Sequence, residues 1–409
     1  MRIHHQSRRL LSASLVGAVM VVVAAVLLVN YQSPTPTVAA LNSAEFQPGR
    51  IIDDTVFYNQ NAMTAQQIQD FLNQKVPVCD TNGTKIYSGT KTRAQSGTER
   101  GNPPPYICLK DYRQDMPEKT ANNYCEYIPA TTDQTAAQML YAVSQACGIN
   151  PQVLIVLLQK EQSLVTDDWP FEVQYRSATG YGCPDTAPCD AQYYGFFNQI
   201  YRAAWQYQVY RANPNNYNYH AGRTNYIQYN PASSCGGQNV YIENQATAGL
   251  YIYTPYVPNQ KALDNLYGTG DSCSAYGNRN FWLYFTDWFD ETIDPLSRAT
   301  VDIEQRYHEL GANDGELGKE IYDLIQYPDG RVAQQYQNGY IIWRHDTGAW
   351  ESVNGPIRDR WAQLGGSQGI MGPPAGPQLT AGEQLSQNYL FGSIYWAEAK
   401  GYWFLLDGL

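Results

Sequence analysis

The stretch Gly148-Ile149-Asn150-Pro151-Gln152-Val153-Leu154-Ile155-Val156-Leu157-Leu158-Gln159-Lys160-Glu161-Gln162-Ser163 decides how the chain is read. Asn150 is a good helix N-cap, and Pro151 fits the first helical position, where its missing N–H is no loss. Val153 to Leu158 are apolar around the whole circumference, which marks a helix buried on all sides. The spacing predicts a helix over 151–165 at the centre of its domain. Leu154, Leu157, Leu158, Glu161, Leu164 and Val165 fall on one stripe at intervals of three and four. A carboxyl on that stripe is costly to ionise. The alternative places Glu161 just past the buried portion, beside Lys160 on a solvated last turn.

Outward from this helix, Thr135 to Cys147 carries the same helical pattern, and Thr64 to Leu72 gives an earlier helix with Ile68, Phe71 and Leu72 inward. Residues 80–106 are rich in Gly, Thr, Ser and Pro without periodicity and read as a long surface loop between Cys79 and Cys108. Eight cysteines (Cys79, Cys108, Cys125, Cys147, Cys183, Cys189, Cys235, Cys273) form an even set with no CxxC, and only five histidines accompany them. This reads as a disulfide set of an exported protein, with no metal site and no cofactor. Sequential pairing needs only local loops.

The chain's 409 residues suggest two or three globular units. A net charge of −11 argues against non-specific binding to nucleic acid. Tyrosine is abundant, 34 against 11 Phe, and suits polar, ring-shaped ligands. Basic Met1 to Arg9 precedes an apolar run, Leu10 to Val29, long enough to span a bilayer and followed by Val38-Ala39-Ala40. Residues 1–40 are therefore a signal peptide or an N-terminal membrane anchor, and everything beyond lies outside the cytoplasm.

From about residue 300 the texture changes. Segments 302–355 and 356–408 repeat each other: Ile303 aligns with Ile357, Tyr307 with Trp361, Leu310-Gly311 with Leu364-Gly365, Trp343 with Trp396 and Gly348 with Gly401. Glycines between aromatic runs, as in Gly339-Tyr340-Ile341-Ile342-Trp343, indicate hairpins. Two units are few for a stable array, so each leans on the other or on the preceding domain.

Two resemblances sharpen the reading. The Gly148–Ser163 stretch is similar to the opening of the catalytic core in lytic transglycosylases and goose-type lysozymes, where a buried helix ends in the catalytic Glu followed closely by Ser. Glu161 matches that acid, with Gln162 inserted before Ser163. Gly195-Phe196-Phe197-Asn198-Gln199-Ile200-Tyr201 resembles the family's Gly-Leu-Met-Gln stretch, with Asn198 in the amide position and Tyr201 in place of a common Pro. The resemblance implies a sugar cleft bordered by Ser163, Tyr181, Tyr194, Gly195, Phe197, Asn198 and Tyr201. A second carboxylate is not singled out among Asp167, Asp168, Asp185 and Asp190. That agrees with single-acid chemistry, in which the substrate's own hydroxyl closes a 1,6-anhydro ring. The runs QKEQSLV, ATGYGCPD and YGNRNFW resemble secreted actinobacterial proteins of the same layout.

Leu364-Gly365-Gly366, Met371-Gly372-Pro373-Pro374 and Phe391-Gly392-Ser393-Ile394-Tyr395-Trp396 resemble the LGFP repeat of cell-surface proteins. That resemblance implies attachment to a cell envelope, with Trp343 and Trp396 as stacking rings. The sequence thus predicts an α+β multidomain protein: a leader (1–40), an N-terminal extension with a long loop (41–130), a mainly α lysozyme-like core with disulfides (131–295) and a small β-rich LGFP domain (300–409). The expected function is cleavage of peptidoglycan or another envelope glycan through Glu161. The alternative is a non-catalytic wall-binding, adhesin or haemagglutinin-like surface protein, secreted or membrane-anchored.

Overall fold

A helix that is apolar on every side needs neighbours on every side, and the elements around Pro151 supply them. The computed structural model describes residues 41–184, 187–290 and 292–407; the Leu10–Val29 run and Asp185 lie outside these. Thr64 opens α1 (Ala65–Lys75) and Thr135 opens α2 (Ala136–Cys147), each by a capping box with the glutamine three residues on. Asn150 accepts the Gln152 N–H at 2.8 Å to open α3 (Pro151–Gln162). Val153 through Leu158 are fully buried. The helix stops three residues earlier than the periodicity predicts, because Ser163 turns left-handed at φ 58° and its N–H donates to the Gln159 carbonyl. Leu164 and Val165 stay buried beyond the helix end.

Around α3 stand α4 (Phe196–Ala212), α5 (Gln245–Tyr253) and α6 (Gly277–Phe289). α3 packs on α6 and α2, α2 on α1 and α4, and α4 on α5. Tyr201 does not disturb α4, which runs unbroken through it. Two antiparallel hairpins flank the helices: β1 (Arg113–Met116) with β2 (Thr131–Thr135), and β3 (Arg223–Gln228) with β4 (Gly237–Ile242). Disulfides join Cys79 to Cys108, Cys125 to Cys147, Cys183 to Cys189 and Cys235 to Cys273. The chain before α1 is strapped to the far end of the helical array. Asp53 N–H donates to the Thr292 carbonyl at 2.9 Å, and Ile51 N–H to the Thr247 hydroxyl at 3.0 Å.

The 80–106 segment is not the structureless loop that its composition predicts. It holds a short hairpin (Ile86–Ser88, Lys91–Thr92) and a helix, Arg93–Glu99, opened by a Thr92–Gln95 capping box. That helix has no apolar stripe; it buries only Ser96 and Gly97.

The C-terminal region is two copies of one unit. α7 (Pro295–Glu309) precedes a four-stranded meander of β5 (Ile325–Gln326), β6 (Val332–Tyr336), β7 (Gly339–Arg344) and β8 (Gly348–Val353). α8 (Pro356–Gln363) precedes β9 (Pro374–Ala381), β10 (Gln384–Tyr389), β11 (Gly392–Ala397) and β12 (Gly401–Leu406). The copies agree in detail: Tyr307 donates its hydroxyl to the Gly318 carbonyl at 2.8 Å, and Trp361 donates Nε1 to the Gly372 carbonyl at 2.8 Å. A Cβ at Gly315 or Gly369 would lie 1.8 or 1.9 Å from the Leu310 or Leu364 carbonyl oxygen, which explains why glycine recurs there.

The first sheet is buried on both faces. Val332, Ile341 and Trp343 point into a core with Ile303 and Tyr307 of α7, whereas Ala333 and Ile342 join Ile357, Trp361, Met371 and Ile394 of the second unit. This two-sided burial is why β7 reads as a continuous apolar run. The architecture is therefore a mixed α and β chain with four disulfides and a β-rich C-terminal region. Among the described residues no helix is long and apolar enough to cross a membrane.

Candidate functional site

α3 delivers Glu161 to its last turn, where burial gives way. The Glu161 side chain is 26% exposed, while that of Lys160 is only 5% exposed. The Lys160 ammonium bonds to Glu161 Oε1 at 2.6 Å and to the Thr254 hydroxyl at 2.8 Å, and lies 5.5 Å from the Tyr253 ring centre. Between the apolar stripe and the solvated turn beside Lys160 that the sequence leaves open, the structure has one oxygen of the carboxylate held by a buried cation. Glu161 Oε2 has no hydrogen-bond partner among the described residues. A Cβ on Gly180 would approach it to 3.4 Å, and Gly180 has φ +71°, so only glycine leaves this space without backbone strain.

The Gly180 loop is fixed from below by one side chain. Gln199, fully buried in α4, accepts from the Thr179 N–H at 3.1 Å and the Tyr181 N–H at 3.2 Å. It donates to the carbonyls of Tyr181 at 2.9 Å and Tyr193 at 2.8 Å. From above, Tyr253 donates its hydroxyl to the Thr179 carbonyl at 2.5 Å and stacks on Tyr207 with ring centres 5.2 Å apart. Burial of its hydroxyl, with the nearby Glu161 charge adding to it, pushes Tyr253 well above the usual tyrosine range. Tyr207 is raised in the same way by burial first, then by its tyrosine neighbours and Glu161. Both phenols therefore stay protonated beside the carboxylate.

The structure distributes the other expected site residues unevenly. Tyr181 borders the Gly180 loop, its hydroxyl donating to Gln206 Oε1 at 3.3 Å and its ring edge-on to Tyr193. Ser163 is the exposed left-handed cap of α3. Gly195 caps α4 with φ +98° and donates its N–H to the Arg176 carbonyl at 3.0 Å; Arg176 also lies 5.0 Å over the Tyr194 ring. Asn198 turns away, donating to the Gln192 carbonyl at 2.8 Å and accepting from Lys119 at 3.4 Å. The amide that holds the Gly180 loop is instead the next residue, Gln199, one position beyond the one that the resemblance marks.

Phe197 and Tyr201 are 0% and 4% exposed and pack as core, with Asn122 donating to the Tyr201 hydroxyl at 3.0 Å. Trp343, 1% exposed, is also core: its Nε1 donates to Asp302 Oδ2 at 2.7 Å. These three offer no ring face to a ligand. Trp396 is partly buried against the core of the second unit.

Among the described residues, the candidate second carboxylates Asp167, Asp168 and Asp190 are committed elsewhere. Asp167 accepts from the Trp169 N–H at 3.0 Å and Gln174 Nε2 at 2.9 Å. Asp168 pairs with Lys85 and Arg93, and Asp190 caps the short turn at Gln192. Thr254, Tyr253 and Gln199 carry no signal in the sequence, because each acts through contacts far along the chain.

Two cavities stand out from the surface, neither lined by Glu161. One, of about 200 Å³, lies between α7 and β8; the other is an open groove of about 880 Å³ along β1 and β2.

With this geometry in view, comparison with protein families matches the LGFP repeat over residues 325–369. The matched segment runs from β5 through α8 to Gly369. It straddles the boundary at 355 expected from the internal alignment. None of the curated proteins matches the chain. The LGFP repeat points to cell-surface or wall association, and the disulfides are consistent with an extracytoplasmic setting.

Proposed function

We propose that the chain is a cell-envelope enzyme that cleaves peptidoglycan glycan strands, with Glu161 as its proton donor and the LGFP-like units holding it at the wall. The reading is carried by one observation: Glu161, its side chain 26% exposed, keeps Oε2 without a hydrogen bond among the described residues, at the end of a helix buried from Val153 to Gln159. Lys160 on Oε1 fixes the plane of the carboxyl and leaves Oε2 as the oxygen that meets substrate.

In the proposed reaction Oε2, carrying the proton, gives it to the glycosidic oxygen as the bond to the anomeric carbon breaks. With Asp167, Asp168 and Asp190 engaged in structural bonds, the strand's own 6-hydroxyl attacks the anomeric carbon. Its proton returns to Oε2, leaving a 1,6-anhydro end. Gly180 leaves room for the sugar, Gln199 and Tyr253 hold the loop in place, and Tyr181 and Tyr194 border the strand.

The alternative is a wall-binding or adhesive protein that has kept the fold without turnover, and the Lys160–Glu161 ion pair favours it, since a general acid in contact with an ammonium must carry its proton beside a cation. Incubating the chain and its Glu161→Gln variant with purified peptidoglycan separates the two. The proposal expects soluble muropeptides from the native chain and a loss of about 100-fold or more in the variant, the scale of general acid catalysis. Equal release from both moves the acid elsewhere. No release from a folded native chain leaves the adhesive reading.

A further inference from the structure

We infer that the cavity between α7 and β8 of the first repeat unit is a saccharide-binding site, taking a neutral sugar against Trp350. It is an open recess of about 200 Å³, bordered by Asp302, Gln305, Arg306 and Glu309 on the helix and by Gly348 to Trp350 on the strand. Trp350 is a fixed wall: its indole N–H donates to the Thr347 carbonyl, and the Arg306 guanidinium lies 5.1 Å from its ring centre. Arg306 is itself held at both ends, by Glu351 at 2.9 Å and by Glu309 at 2.9 Å. A wall already immobilised loses little side-chain freedom when a ligand docks.

The polar rim sets the class of ligand. Asp302 uses Oδ2 to accept from Trp343, and Gln305 uses Nε2 to donate to Glu309. Asp302 Oδ1 and Gln305 Oε1 are acceptors without a hydrogen bond among the described residues. Acceptors beside an aromatic wall fit a ligand rich in hydroxyl donors, and a sugar ring adds an apolar C–H face for the indole. The cations at the rim are already paired, Arg306 with Glu351 and Glu309, and Arg298 with Asp302, which disfavours an anion.

The second unit shows that the constellation is not merely what joins the two repeats. Arg360, Gln363, Gly401 and Trp403 stand where Arg306, Glu309, Gly348 and Trp350 stand in the first unit. Arg360 reaches Gln363 Oε1 at 3.1 Å as Arg306 reaches Glu309. The residue matching Glu351, which ties Arg306 toward the neighbouring unit, is Phe404, whose ring lies 5.8 Å from the Arg360 guanidinium. The arginine and the tryptophan thus recur in the sequence where the inter-unit partner does not, with Trp403 stacked on Tyr395 at 5.6 Å between ring centres. Pro356 takes the place of Asp302, so the acceptor rim is complete only in the first unit.

This inference rests on the wall-directed reading but fails separately from it. The full chain, as the Glu161→Gln variant to prevent turnover, is titrated calorimetrically with N,N′-diacetylchitobiose and with lactose, and the titrations are repeated with Trp350→Ala or Gln305→Ala added. We expect binding of at least one disaccharide, weakened at least about tenfold by Trp350→Ala and measurably by the surface change Gln305→Ala. Binding of chitobiose alone identifies the N-acetylated sugars of peptidoglycan, whereas binding of lactose as well identifies a site that reads only the ring and its hydroxyls. Absence of binding by both sugars, or affinities unchanged in both variants, overturns the inference. Muropeptide release by the native chain is a separate readout and reports on Glu161.

Discussion

Glu161 and its neighbours show how far single residues can be read from a sequence. Asn150, Pro151 and the six apolar residues after them announce a capped, buried helix through local chemistry, and the structure has it. The bond from Lys160 to the Thr254 hydroxyl, the hold of Gln199 on Thr179 and Tyr181 and the Tyr253–Tyr207 stack join residues from 18 to 94 positions apart and leave no periodic trace. Tyr207 gives a test at this scale. Its hydroxyl is buried and has no hydrogen-bond partner among the described residues, while its ring packs on Tyr253 and Phe57. An unpaired buried hydroxyl is unfavourable by about 1–3 kcal/mol. Tyr207→Phe should therefore leave stability unchanged or raise it, as read by urea unfolding. A loss of more than about 1 kcal/mol would show that the hydroxyl is bonded after all.

At the scale of elements, the Arg93–Glu99 helix is the part the sequence concealed. It packs through Gly97, where a Cβ would come within 2.0 Å of the Tyr106 hydroxyl, and so has no apolar stripe to display. What holds the segment is charge. Asp80 accepts from the N–H groups of Thr84 and Lys85 and pairs with Arg93, which also bonds Asp168 at 2.6 Å. Burial opposes ionisation of both aspartates, but these hydrogen bonds and cations outweigh it and hold Asp80 and Asp168 below the ordinary carboxylate range. A depressed folded pKa stabilises the fold fully above the unfolded value, and that contribution disappears as pH falls through the folded one. Hydrogen exchange in residues 80–100 should accordingly rise as pH drops from about 5 toward about 2, after correction for intrinsic rates, ahead of exchange in α3. Protection of the two segments declining together would contradict this.

For the molecule as a whole, the duplication was visible in its glycines and aromatics, whereas the joint between the copies was not. Glu351 is 1% exposed on β8, an acid on a strand with no local reason to be there. It takes Arg306 on one oxygen at 2.9 Å and the Gln378 N–H of β9 on the other at 2.7 Å, while its own carbonyl accepts from Gln387 at 2.6 Å. These bonds couple the two sheets, and with the shared core they explain how only two units form a stable pair. Glu351→Ala leaves Arg306 with Glu309 alone and the Gln378 N–H without its partner, and should lower the stability of the repeat region by about 1–3 kcal/mol. Guanidinium unfolding followed by tryptophan fluorescence measures this, and a loss below about 1 kcal/mol would mean that the apolar core alone joins the units.

The central claim is that one carboxylate cleaves a glycan strand. Mass spectrometry of the fragments released from purified peptidoglycan by the native chain tests it most directly. The account predicts glycan ends 18 Da lighter than hydrolytic ends, the loss of one water that accompanies 1,6-anhydro closure. Release of hydrolytic ends only would require a second carboxylate or an activated water, and the absence of any released fragment from correctly folded protein would contradict catalysis by Glu161 altogether.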